Sequence, residues 1–129
     1  MYTNSSNTLH ALSSAYLKDR EKLTDRQKSA QMQKSFWEDF LARISIISAH
    51  TEDDLLYAMR YCNEEDLVEL QRLLSDILDE RHEVRNMTLR EIEGLEVHEV
   101  NLKRKLEELD EEYAYQKKSL KAQMDEKQH

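Results

Sequence analysis

The chain has 129 residues, of which 36% are charged, one is glycine and none is proline. So few turn-forming residues exclude a β-sandwich or barrel, which needs a turn every ~8–12 residues. They also exclude phosphate-binding loops, which need several glycines. Apolar residues make up 39%, below the ~45–50% of globular domains. We therefore expect long helices that bury narrow apolar stripes against partners.

The net charge of -8 is unevenly distributed. Residues 1–50 carry seven Lys or Arg against five Asp or Glu, whereas residues 51–129 carry twelve against twenty-two. Because an acidic surface repels DNA phosphates, we expect no direct binding of nucleic acid. Cys62 is the only cysteine, no apolar run is long enough to span a membrane, and no signal peptide is recognisable. These features predict a cytoplasmic protein without membrane contact.

Residues 1–50 are interpreted as an N-terminal helical extension of unknown role. Within them, Ser35 and Glu38 have the spacing of a capping box, which predicts a helix start. The most hydrophobic face of the chain follows, formed by Phe36, Trp37, Phe40, Ile44 and Ile47. This face fits burial against the chain's own helices or a dimer mate better than docking of a foreign protein, although docking stays open.

Residues 51–91 are predicted to form a helical dimerisation segment. Thr51 precedes three acidic residues, a pattern that predicts a short helix from there to about Tyr61. Asn63 begins a second pattern of the same kind. Apolar residues then recur at spacings of three and four, as in a coiled coil. The predicted dimer or partner interface comprises Leu55, Leu56, Met59, Leu67, Leu70, Leu73, Leu74, Ile77 and Leu78.

Residues 92–129 are predicted to form a second coiled-coil segment. The first stripe falters at Arg81, Val84 and Thr88, and a second register begins at Ile92. Gly94 costs ~1 kcal/mol in a helix and predicts a break or a bend. The second association site comprises Leu95, Leu102, Leu106, Leu109, Tyr113 and Leu120. The fold class expected is all-α, with short N-terminal helices followed by long helices that form a coiled-coil-like dimer or oligomer.

A stretch from Met59 to Glu83 resembles the N-terminal oligomerisation domain of the histone-like nucleoid-structuring (H-NS) family of bacterial gene silencers. The family has an Arg-x-Cys turn, a Glu-x-Leu-x-Glu helix start, an apolar seam and a Glu-Arg-x-Glu step. The residues that fit this pattern without a gap are Arg60, Cys62, Glu65, Leu67, Glu69, Leu74, Glu80, Arg81 and Glu83. The family's upstream helix is basic, whereas residues 51–55 here read Thr-Glu-Asp-Asp-Leu.

The resemblance does not extend to the family's DNA-reading loop, Trp-Thr-Gly-x-Gly-Arg-x-Pro. This chain has no proline, and Trp37 and Gly94 are its only tryptophan and glycine. The resemblance thus implies a non-enzymatic protein that assembles with itself and with a full-length H-NS-family silencer, and so modulates silencing without reading DNA. The alternatives are a coiled-coil scaffold or secretion-type chaperone, and an acidic DNA mimic that inhibits a DNA-binding protein.

No catalytic, cofactor or metal site is expected from the sequence. The five histidines are dispersed, and none pairs with another at the i, i+4 spacing of helical zinc sites. Cys62 falls at a predicted turn between helices, where a packed small apolar residue is more common than a nucleophile.

Overall fold

The computed structural model describes the backbone of residues 2–128 and the side chains of residues 7–127. Within that backbone the chain forms two helices and no strand: α1 spans Tyr2–Tyr61 and α2 spans Glu64–Gln128. The predicted all-α class is confirmed. Neither helix contains, over the described residues, a stretch that combines the length and the apolar character of a membrane span.

The predicted series of short N-terminal helices is wrong, because α1 continues without interruption through both expected starts. At Thr51 the physical reason is visible. Its hydroxyl donates a hydrogen bond of 3.0 Å to the carbonyl of Ile47, one turn earlier in the same helix. A threonine bonded in this way is accommodated inside a helix and caps nothing. Ser45 makes the same kind of bond, of 2.8 Å, to the carbonyl of Leu41.

The helix start predicted at Asn63 is confirmed. The Asn63 side-chain oxygen accepts a hydrogen bond of 2.8 Å from the backbone N–H of Asp66. Its backbone carbonyl accepts a second, of 2.9 Å, from the N–H of Leu67. One orphan amide of the first turn is thereby satisfied. Three acidic residues in that turn interact favourably with the positive end of the helix dipole.

The predicted break near Gly94 is not found, because α2 is helical on both sides of this residue. Gly94 is exposed, and its modest intrinsic cost is outweighed by packing along the rest of α2. The residues expected to weaken the stripe instead continue it. Thr88 is only 2% exposed, and its hydroxyl donates a 2.7 Å hydrogen bond to the carbonyl of Val84.

The change of register is absorbed inside one continuous helix. From Val84 to Thr88 and from Thr88 to Ile92, two successive steps of four residues replace the alternation of three and four. Such a stutter locally unwinds a coiled coil without ending the helix. A change of heptad phase is therefore no evidence for two separate helices.

The chain divides into two compact units, each of which combines a part of α1 with a part of α2. Unit 1 contains residues 1–31 and 97–129, and unit 2 contains residues 32–96. This grouping differs from the consecutive segments 1–50, 51–91 and 92–129 drawn from the sequence. In both units the helices pack antiparallel: Arg20 pairs with Asp110 in unit 1, and Lys34 and Glu52 pair with Glu96 and Arg81 in unit 2.

The core of both units is thin. Among the described side chains only Ala30, Thr88 and Leu102 are buried. The other residues along the contact between the helices are half-buried, since one helix covers only one side of another. The structure thus leaves much apolar surface exposed to solvent.

Candidate interaction surfaces

The dimer interface predicted in residues 55–78 lies mostly in the contact between α1 and α2 of the same chain. Seven of its nine residues are half-buried, and Ile44 of α1 lines the same groove as Leu78 of α2. Only Leu56 and Leu73 are exposed. The spacing therefore located a true packing stripe, but much of this stripe contacts the other helix of the same molecule. Its role in a dimer stays a prediction.

The second predicted association site is placed in a similar way. Leu102 is 1% exposed, and the other five residues of the site are half-buried. Tyr113 stacks on Tyr16 of α1, with ring centroids 4.0 Å apart and an angle of 7° between the rings. The apolar residues that the spacing assigned to a partner contribute here to the contact between α1 and α2 of the same chain.

The predicted aromatic face of α1 is divided between two environments. Trp37, Phe40 and Ile44 are half-buried, whereas Phe36 and Ile47 are exposed. The rings of Phe36 and Phe40 are 6.4 Å apart, and Trp37 meets Phe40 edge to face at 5.5 Å. These contacts hold three rings together along one helix, and the Phe36 ring remains exposed to solvent.

Exposed apolar residues are concentrated in unit 2. Of the fifteen large apolar residues exposed in the described chain, eleven belong to unit 2 and four to unit 1, although the units are of similar length. The eleven are Met32, Phe36, Ile46, Ile47, Leu56, Tyr57, Tyr61, Val68, Leu73, Met87 and Leu89. Where such residues form a contiguous patch, they typically mark a surface that another protein covers.

Sequence reasoning missed Tyr57 and Tyr61 as surface candidates. Their rings are 5.0 Å apart in the last turns of α1, and Tyr61 is 74% exposed. Their helical spacing from Ile47 could have identified them, but the helix start predicted at Thr51 assigned them to a different helix. They belong with Phe36 and Ile47 on one continuous helix.

A groove of about 360 Å³ in unit 2 has an apolar floor and a basic rim. Leu41, Ile44 and Leu78 contribute the floor, and Arg81, His82 and Arg85 add the polar groups. Arg81 is held by an ion pair of 3.0 Å with Glu52. Since this pair neutralises one of the arginines, the groove is only weakly cationic.

In unit 1, a polar cluster connects α1 to α2. The Tyr16 hydroxyl and the Arg20 Nε both donate hydrogen bonds to the Asp110 Oδ1, at 2.5 Å and 3.3 Å. The hydrogen bond to the Asp110 carboxylate, together with burial, raises the pKa of Tyr16 above its ordinary value of 10.0. Lys117 lies 5.7 Å from the centre of the Tyr113 ring, which itself stacks on Tyr16.

One buried polar atom of unit 1 has no partner. The Glu99 Oε1 is shielded from solvent and makes no hydrogen bond. A buried acceptor without a donor costs free energy, so Glu99 weakens the contact between the helices at its position. The sequence showed Glu99 only as a polar interruption of the stripe.

Cys62 and the possible metal ligands are the remaining candidates from the sequence. Cys62 lies between the two helices, half-buried, and its thiol donates to the carbonyl of Met59 at 3.5 Å. Among the described residues no three His, Cys, Asp or Glu side chains come together as metal ligands would.

Comparison with known protein families, with curated proteins and with solved structures finds no match to this chain.

Proposed function

We propose that this protein acts by binding other proteins: it associates with itself and co-assembles with a full-length H-NS-type silencer, whose filaments it modulates without reading DNA. The observation that carries the binding role is the concentration of exposed apolar side chains in unit 2. Water-exposed aromatic and aliphatic groups in such number are stabilised when a second protein surface removes them from water.

Surface area supports self-association. The chain exposes 10284 Å², whereas a folded monomer of its mass exposes about 7,200 Å². The difference is about 3,100 Å² per chain, more than the roughly 1,000–2,500 Å² that each partner contributes to an obligate complex, so surface of that size is available. The apolar residues of unit 2 supply the surface that such a complex would cover.

The silencer as a partner rests on the resemblance between Met59 and Glu83. In this structure the matching residues flank the connection between α1 and α2, and the acidic ones, including Glu65, Glu69 and Glu80, are exposed. Val68 is an exposed apolar residue within the same segment. The segment thus presents to solvent both charges and an apolar contact for the corresponding segment of a silencer.

A co-purification experiment with a matched pair of variants tests this proposal. The tagged chain is mixed with the purified full-length silencer of the same cell, and both recovery of the silencer and its filament formation on DNA are measured. Val68 and Val100 are 68% and 67% exposed on the same helix, but only Val68 lies in the matching segment. We expect Val68→Asp to reduce recovery by about tenfold or more, as loss of a central interface contact does. Val100→Asp should leave recovery unchanged.

Absence of co-purification by the unmodified chain, with silencer filaments unchanged, would contradict the silencer proposal. Equal loss in both variants would contradict the assignment of the interface to the matching segment.

Charge favours one second candidate, the DNA mimic. Residues 51–80 contain ten acidic residues against two arginines, and nine of the ten acids are exposed. A mimic would displace duplex DNA from the silencer, with an affinity that falls steeply as salt concentration rises. Assembly through apolar contacts predicts a shallow salt dependence, so the same mixture measured at several salt concentrations separates the two.

A further inference from the structure

A regular stripe runs along the exposed side of α1 in unit 2. It comprises eight positions, separated by alternating steps of four and three residues: Phe36, Phe40, Arg43, Ile47, His50, Asp54, Tyr57 and Tyr61. This is the spacing of one face of a helix in a coiled coil. Seven of the eight side chains are exposed and Phe40 is half-buried. We call this set the α1 stripe.

The α1 stripe is symmetric in spacing and self-complementary in chemistry. Read from either end, its steps are four, three, four, three, four, three and four residues. Two aromatic residues lie at each end, Arg43 is third from one end, and Asp54 is third from the other. A second copy in antiparallel orientation therefore places aromatic residues opposite aromatic residues at both ends and Arg43 opposite Asp54.

The opposed pairs follow from the spacing. Phe36 meets Tyr61 of the second copy, and Phe40 meets its Tyr57, which gives aromatic pairs at both ends of the contact. Arg43 meets Asp54 of the second copy, and the two-fold symmetry produces this ion pair twice.

The centre of the contact brings Ile47 against His50 of the second copy. Within the described side chains, Arg43 and Asp54 make no ion pair with their own chain. Both charges are thus available for one another across a dimer.

We infer that two copies of this chain form an antiparallel dimer through the α1 stripe. The inference rests on the self-association in the proposed function and not on the silencer. From Phe36 to Tyr61 the stripe covers 26 residues, or ~39 Å of helix at ~1.5 Å per residue. Charge complementarity selects a second copy as the occupant, because an unrelated helix would have no reason to match a stripe that is complementary to itself.

Charge reversal with rescue tests the inference on the full chain. Arg43→Asp places like charges opposite each other in both symmetric layers, and so does Asp54→Arg. We expect each to raise the dimer dissociation constant by about tenfold or more, because like charges across an interface are strongly unfavourable. The double variant R43D/D54R restores opposite charges and should return the constant to within about threefold of the unmodified value. Sedimentation equilibrium measures all four proteins.

Arg90→Asp is the matched control. Arg90 is exposed in unit 2 but lies on α2, so the same charge change there should leave dissociation unchanged. Because all substituted positions are exposed, circular dichroism should show equal helix content in every variant.

Three results would overturn the inference. A monomeric unmodified chain, including one that binds only a foreign protein, removes the dimer and with it the self-association proposal. Single variants that dimerise normally leave self-association standing but exclude this surface. Weakening by the single variants without rescue by the double variant excludes the antiparallel pairing, since in a parallel dimer Arg43 would lie opposite Arg43.

Discussion

Units 1 and 2 are built from the same two helices and are of similar length, but they bury their apolar residues to different extents. Unit 1 contains Leu102, the most buried side chain described, and leaves four large apolar residues exposed. Unit 2 leaves eleven exposed. The cross-helix ion pairs of both units, Arg20–Asp110 in unit 1 and Lys34–Glu96 and Glu52–Arg81 in unit 2, involve partly exposed groups. Such pairs contribute little to stability, so the difference between the units lies in their apolar residues. The comparison indicates that unit 1 buries its large apolar residues more completely than unit 2 does.

The largest expected effect of a single substitution in unit 1 is at Leu102. Leu102→Ala removes a side chain that is 1% exposed, and such changes cost about 2–5 kcal/mol of the free energy of unfolding. Urea denaturation followed by circular dichroism measures the loss. Val100→Ala, two residues earlier at a strongly exposed position, is the control and should cost less than about 0.5 kcal/mol. Equal costs at the two positions would show that the core of unit 1 is not where the structure places it.

A smaller effect of opposite sign is expected at Glu99. Glu99→Leu removes the shielded oxygen that lacks a hydrogen-bond partner and adds apolar contact between the helices. We expect the free energy of unfolding to rise by about 1 kcal/mol or more. The control is Glu111→Leu, at an exposed position of the same unit, where no increase is expected. A destabilised Glu99→Leu protein would mean that the carboxylate has a partner that the free chain does not show.

The smallest effect concerns the dependence of stability on pH. The hydrogen bond to Asp110 raises the pKa of Tyr16 above 10.0 in the folded chain, so folding favours the protonated hydroxyl. The stabilisation is therefore complete below pH 10 and is lost as the pH rises through the raised value. Tyr16→Phe should lower the melting temperature at pH 8, and its difference from the unmodified chain should shrink by pH 11. A difference that is constant between these pH values would contradict the role of the hydroxyl.

The fold class was predicted correctly from the sequence, because one glycine and no proline are too few for the turns of a β-fold. Sequence reasoning also placed the start of α2, where Asn63 has an acidic turn after it and a strong apolar stripe behind it. It failed at Ser35 and Thr51, where α1 continues without interruption, because a hydroxyl that can cap a helix can also form a hydrogen bond inside one. At Thr51 the bond to Ile47 decides between the two, and no spacing rule contains that bond.

The surfaces were predicted less completely than the helices. The spacing of apolar residues predicted the half-buried stripes of both helices. Spacing alone does not indicate whether the helix that packs on such a stripe belongs to the same chain or to another. Phe36 and Ile44 were therefore assigned to one face, although only Phe36 is exposed. Tyr57 and Tyr61 belong to the same exposed side, because α1 continues past Thr51.

The molar mass of the full, unmodified chain in solution shows whether unit 2 is covered by a second copy. Sedimentation equilibrium over a range of micromolar concentrations is the suitable measurement. We expect a mass of twice 15.4 kDa that falls toward the monomer value on dilution. A mass of 15.4 kDa at every concentration, with the helices intact, would contradict it.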